Sequence, residues 1–181
     1  MVRQSVYLRM KVSTPTYLIA ELSGDVVPLV LDMRKRFNPK NTHWPADITI
    51  AGSSGVGTLK DGQHLNEVVE QLTPIVREFG FTDIEFVSVS RFPNTGIYYL
   101  MPAREKFDCL HKAVVHSTVE FNESDWPYNP HCTLRWHDDD AKECKTLFDS
   151  LKLPIESAVD CFSLYQPQKN GGCRVHRFKQ V

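Results

Sequence analysis

The sequence has no basic surplus, no long apolar run and no paired cysteines, and each absence removes a class of function. Lysine and arginine number 21 against 22 acidic residues, a formal net charge of −1. Proteins that track phosphates along a duplex neutralise many of them with Lys and Arg, so long duplex DNA is not the expected partner. No run approaches the roughly 20 apolar residues of a membrane span, and the N-terminus carries no apolar core of signal-peptide length. The five cysteines 109, 132, 144, 161 and 173 are odd in number, widely spread and free of any CxxC pair, which points to a reducing compartment. Cys144 and Cys109 fall within predicted helices, where a thiol commonly acts as a small hydrophobe. A cytoplasmic location and no membrane partner are expected. The histidines 43, 64, 111, 116, 137 and 176 show no ligand spacing, so neither a metal nor another cofactor is expected.

What the chain does have is ordinary globular composition over 181 residues, 41% hydrophobic and 24% charged, enough for one sizeable core. One stretch organises the rest: Trp126-Pro127-Tyr128-Asn129-Pro130-His131-Cys132-Thr133-Leu134-Arg135-Trp136. A turn with two prolines runs into a strand that alternates His131, Thr133 and Arg135 on one face with Cys132, Leu134 and Trp136 on the other. An imidazole and a hydroxyl two residues apart stand about 7 Å apart along one face. That pairing suits a phosphate, with the hydroxyl holding an oxygen while the imidazole moves a proton. Trp44-Pro45-Ala46-Asp47-Ile48-Thr49-Ile50 echoes it earlier in the chain, with aspartate in the titrating position.

The elements around the two stretches also repeat. A strand from Tyr17 to Leu22 leads to a helix capped by Ser23-Gly24-Asp25 and ending at Phe37, with Val26, Leu29, Val30, Met33 and Phe37 inward. Residues 1–15 are irregular. A loop over 38–45 enters the first motif strand, Asp47 to Ala51. The Gly52–Gly57 loop then offers backbone N–H groups to an anion, but it lacks a P-loop ending and reads mainly as a flexible turn. The next helix spans about 62–79 and is expected to kink at Pro74; a strand from Ile84 to Phe92 follows. The second half gives a strand over 97–101, a helix over 104–119 and the motif strand over 131–136. Its second helix is opened by Asp138 and Asp139, runs to Leu151 and turns Ala141 inward. A strand over 157–166 and a hairpin through Lys169-Asn170-Gly171-Gly172 to a last strand over 173–179 complete it. The fold class expected is α+β. One bilobal domain over 1–181 is built from repeats at 17–92 and 97–180, each a small antiparallel sheet with outer helices, around a central cleft.

These residues resemble the two-histidine phosphoesterases, the superfamily that includes the 2′-5′ RNA ligases and 2′,3′-cyclic nucleotide phosphodiesterases. Members carry two His-x-Thr/Ser motifs facing each other across a cleft. The resemblance implies that His131 and Thr133 form the second motif, that Thr49 is the hydroxyl of the first, and that Asp47 stands where its histidine belongs. One histidine would act as base and the other as acid, with the hydroxyls holding the phosphate and no metal involved. An ordinary aspartate, with a pKa near 3.9, is protonated in only about one molecule in a thousand at pH 7, so Asp47 is expected to impair or alter the chemistry. It is either a substitute base or an inactivating replacement.

Beside these catalytic candidates, Asp47, Thr49, His131 and Thr133, a base-stacking wall is expected from Trp126 and Tyr128 first, with Trp44 and Trp136 as further candidates. Trp136 is expected to pack inward instead. Arg135 either neutralises phosphate charge or forms a rim salt bridge. Met33-Arg34-Lys35-Arg36 reads as a solvated helix end. A nucleotide or RNA end is the expected partner, as substrate of an enzyme or as ligand of a module that has lost catalysis. A protein-interaction domain on the same frame is the remaining reading.

Overall fold

The computed structural model describes residues 10–13, 15–41, 43–80, 82–137, 142–168 and 171–179. Asp138, Asp139 and Ala141, expected in the last helix, and the turn residues Lys169 and Asn170 lie outside these. The first half contains β1 (Tyr17–Ser23), α1 (Val26–Phe37), a 3₁₀ turn (Pro39–Asn41) and β2 (Asp47–Ala51). It continues with the short β3 (Ser53–Ser54) and β4 (Val56–Gly57), then α2 (Leu65–Phe79) and β5 (Asp83–Arg91). The second half contains β6 (Tyr98–Pro102), α3 (Arg104–Val115), β7 (Cys132–Arg135), α4 (Lys142–Asp149), β8 (Ile155–Gln168) and β9 (Gly171–Phe178). The class is α+β, with every strand pairing antiparallel among these elements.

The strands expected to form two small sheets are joined in one sheet of seven, ordered β2-β1-β8-β5-β6-β7, with β9 also on β8. The 14-residue β8 makes the join. Its start, Ile155 to Ala158, pairs with β5, while its later residues run between β1 and β9. The two ends of this order, β2 and β7, curl back into contact with each other. One apolar core lies behind the sheet, from Leu18, Ile48 and Ile50 on one side to Leu100, Leu134 and Phe162 on the other.

Each half's first helix packs on the other half's motif strand, α1 on β7 and α3 on β2. The period explains α1, whose fully buried positions Val26, Val30 and Arg34 recur every four residues on one face. Arg34 is therefore not part of a solvated helix end. Asp25 makes no side-chain cap; the Val27 N–H is taken by the Gly24 carbonyl instead. Helix α2 runs on through Pro74. Helix α3 stops at Val115, short of Val119, because the Ser117 N–H and hydroxyl both turn back to the Val114 carbonyl. Residues 10–12 are not irregular throughout, since Val12 N–H donates to Gln63 O at 2.8 Å.

The glycine loop after β2 is an ordered hairpin rather than a flexible anion nest. The N–H groups of Gly52, Gly55 and Gly57 donate to the carbonyls of Val56, Trp126 and Asn122. Gly52 has φ +144°, and a Cβ there would stand 2.1 Å from Cδ1 of Tyr17. Gly52→Ala is thus expected to push the Tyr17 ring aside and cost about 1–3 kcal/mol. Urea denaturation checks this; an unchanged midpoint would mean that the contact is relieved without strain.

Candidate functional site

A hollow of about 460 Å³ opens where β2 and β7 meet. Its floor is buried, formed by Asp47 and Thr133. Thr49, His131, Trp44 and Trp136 form its half-buried walls, and Lys40, His43, Ser53 and Gln168 stand exposed at its mouth. The four catalytic candidates of the sequence are thus gathered around one space. A larger hollow of about 740 Å³ lies elsewhere, between Asp83, Glu105 and Glu156; it holds none of them.

Arg34 builds the floor. Its Nε donates to the Thr133 carbonyl at 3.0 Å, and its Nη1 to the carbonyls of Trp44 at 3.1 Å and Pro45 at 2.6 Å. Its Nη2 lies 3.5 Å from the Asp47 carboxylate. One guanidinium thereby ties the approach to β2, the Asp47 side chain and the β7 backbone together. The neighbouring Cys132 sulfur is 4.0 Å away, and burial pushes that thiol up to about 12. It stays neutral, so the carboxylate answers the guanidinium charge.

Asp47 is further held by Trp44, whose indole N–H donates at 3.0 Å, and by the Thr49 hydroxyl at 3.4 Å. Burial raises its pKa from 3.8 to about 6, against the opposing pull of Arg34, Trp44 and Thr49. The sequence suggested an ordinary aspartate; the folded carboxyl is protonated in about one molecule in ten at pH 7.

His131 is anchored through Nδ1, which lies 2.6 Å from the Asn129 carbonyl. A carbonyl only accepts, so Nδ1 carries the proton and Nε2 keeps its lone pair. The ring stands edge-on to Phe92 and Tyr99, each at 5.2 Å. Burial lowers its pKa below 6.5 against the opposing carbonyl bond, so the imidazole is neutral at pH 7. The arrangement offers a base at His131, an acid of raised pKa at Asp47 and two hydroxyls.

Three expected substrate-binding residues stand outside the hollow's lining. The Tyr128 ring is covered by His111, stacked at 3.8 Å and 2°, while His111 Nδ1 bonds the Ile50 carbonyl at 2.8 Å. Burial lowers the His111 pKa. Trp126 is 70% exposed on the neighbouring loop. Arg135 is buried, donating to the Gly96 carbonyl at 2.6 Å with its guanidinium 6.0 Å from the Phe37 ring. The reason is a register slip: Tyr98 faces Arg135 but Tyr99 faces Thr133, a bulge that breaks the alternation carrying Arg135 beside Thr133. Trp136, expected to turn inward, lines the hollow instead, with Arg34 4.7 Å from its ring. Sequence reasoning missed Arg34, His111 and Lys40; only the first two sit at helix positions whose period marks them as inward. Cys109, expected to pack as a small hydrophobe, is exposed.

Among the described residues, no group of three or more His, Cys, Asp or Glu could hold a metal ion, and no helix is long and apolar enough to cross a membrane. A profile of the 2′-5′ RNA ligase superfamily matches residues 21–171. No curated protein sequence matches the chain. Among solved structures, a protein of Thermus thermophilus aligns with TM-score 0.55 and 15% identity over 93% of this chain and 97% of its own. E. coli LigT complexed with NADP+ aligns with TM-score 0.54 and 13% identity over 91% and 95%. LigT complexed with 3′-AMP aligns with 0.51 and 15% over 90% and 95%. At these identities the likeness is one of fold.

A carboxylate whose folded pKa lies above its unfolded one binds extra protons in the native state. Its contribution is fully present below pH 3.8 and lost as pH rises through about 6. At 1.36 kcal/mol per unit, that loss is on the order of 3 kcal/mol. Denaturation at pH 4 and pH 6.5 is expected to show this fall, and Asp47→Asn to flatten it. Arg34→Ala, which leaves Asp47 buried without its cation, is expected to cost about 3–5 kcal/mol at pH 7.

Proposed function

The chain belongs to the 2′-5′ RNA ligase superfamily, and from that membership we propose a metal-independent phosphoesterase acting on 2′,3′-cyclic phosphate or 2′-5′-linked ends of nucleotides or RNA. The observation that carries this is the shared hollow, which two distant motif strands line with Thr49, Thr133, His131 and Asp47. The duplicated order is read as two lobes of one domain, 17–92 and 97–180, each contributing one motif strand. LigT in complex with 3′-AMP, ATP and NADP+ supports a nucleotide as the ligand class.

In this reading the Thr49 and Thr133 hydroxyls donate to non-bridging oxygens of the reacting phosphate. His131 Nε2 takes the proton of the attacking water or hydroxyl as its oxygen bonds to phosphorus. The bond to the leaving ribose oxygen breaks, and that oxygen takes the Asp47 proton. The step asks for neutral His131 and protonated Asp47 together. Turnover then rises with pH as the imidazole loses its proton below 6.5, and falls about tenfold per unit well above 6 as Asp47 ionises.

A second reading, a binding module without turnover, is favoured by one observation. The carboxylate at the histidine's place is already committed to Arg34, Trp44 and Thr49. Assays on 2′,3′-cyclic nucleotides separate the two. The enzyme reading expects His131→Ala to lower kcat by about 10²–10⁴ and Thr133→Val by about 10-fold or more. Tight nucleotide binding without product, together with turnover gained in Asp47→His/Arg34→Met, identifies the module. The second substitution removes the buried cation beside the new imidazole. If His131→Ala changes neither turnover nor nucleotide binding, both readings are wrong.

A further inference from the structure

We propose that Lys40 binds a second phosphate of the substrate, beyond the reacting one, so that the preferred substrate is a strand end and not a mononucleotide. This rests on the phosphoesterase reading above and specifies its substrate.

Depth in the hollow separates the two phosphates. Of the lining residues, Thr133 and Asp47 are buried, Trp44 and Trp136 half-buried and Lys40 exposed. A phosphate held at the floor leaves the Lys40 ammonium to meet whatever the substrate carries further out. In a strand end, that is the next phosphodiester, with a base free to lie along the aromatic walls.

Charge points the same way. The floor holds one cation, Arg34, and its charge is answered by Asp47 at 3.5 Å. Among the described residues no carboxylate pairs with Lys40, and it is the one lysine or arginine lining the hollow. A chain of net charge −1 supplies no general field to attract a polyanion, so an unmatched ammonium at the mouth dominates locally.

The backbone leading to the lysine is also held in place. Just before the Pro39–Asn41 turn, the Asn38 side chain exchanges two bonds with the Trp136 backbone. Its Nδ2 donates to the Trp136 carbonyl and its Oδ1 accepts from the Trp136 N–H, both at 2.9 Å. The backbone bearing Lys40 is thereby clamped to the end of β7, which carries Thr133. Ordering this backbone in advance reduces the conformational freedom that binding costs.

The test compares a ribonucleoside 2′,3′-cyclic phosphate with a diribonucleotide ending in 2′,3′-cyclic phosphate, across a salt series. The wild type is expected to favour the dinucleotide by about tenfold or more in kcat/KM, as one charge-assisted contact allows. Lys40→Gln is expected to erase that preference and to reduce the slope of log KM against log salt for the dinucleotide by about 0.7, the value for one phosphate contact to a single strand. Lys40→Arg is expected to retain both. Loss of stability in Lys40→Gln would lower both substrates alike and leave the slope unchanged, and that result overturns the proposal. So does a wild type that turns over both substrates equally well: the phosphoesterase reading then stands and the strand-end preference falls. If the wild type neither binds nor turns over either substrate, the functional reading fails and this inference falls with it.

Discussion

The contact between Arg34 and the two motif strands is the constraint on which the rest of the site depends. Strands β2 and β7 stand at opposite ends of the sheet order, so no ladder holds them together. A guanidinium has five donors and no acceptor, and this one spends them on Thr133, Trp44, Pro45 and Asp47 at once. His111 does the corresponding work from the other half, binding the Ile50 carbonyl of β2 while stacking on Tyr128 in the approach to β7. Each helix side chain thus ties its own half's approach loop to the other half's motif strand. The imidazole can stack and accept burial at little cost because burial keeps it neutral. The guanidinium cannot shed its charge, so it needs a carboxylate.

That need gives Asp47 a structural meaning alongside its chemical one. A histidine in its place would leave the buried Arg34 with three carbonyls and no counter-charge. The same burial that makes the pair costly lifts the carboxyl to about 6, bringing it within reach of proton transfer near neutrality. Desolvation and the cation pull in opposite directions, and desolvation wins.

Much of this was legible in the chain. The two Trp-Pro approaches and the polar-x-Thr pairs marked both motif strands, and Thr49, Thr133, His131 and Asp47 do surround one space. The strand-helix order set the class. Three things resisted. The Arg135 and Trp136 positions followed from a strict period of two, which the bulge opposite Tyr98 and Tyr99 breaks; nothing local announces that slip. Tyr128 carries the composition of a stacking platform, but its ring face is already occupied by a histidine 17 residues earlier in sequence, a tertiary contact. Arg34 was the readable omission. Val26 and Val30 mark the inner face at intervals of four, and the next position on that face is Arg34. Charge argues for solvent at that position and period for the core, and the fold follows the period.

Protonation also bears on how the site would empty. A cyclic phosphodiester carries one negative charge, and its hydrolysis leaves a monoester whose second ionisation lies near pH 6. In the proposed step Asp47 gives up its proton as that product forms. The Thr49 hydroxyl lies 3.4 Å from the carboxylate, so a phosphate held by that hydroxyl faces a newly ionised group one side chain away. Two like charges in a buried floor repel far more strongly than they would in water. The substrate reacts only in the fraction of molecules whose acid is neutral, whereas the product always faces the charged base left by the transfer, and this difference favours departure toward Lys40 at the mouth. A histidine acid would end neutral after the same transfer and exert no such push. The aspartate exchanges readiness at pH 7 for a stronger electrostatic drive to release.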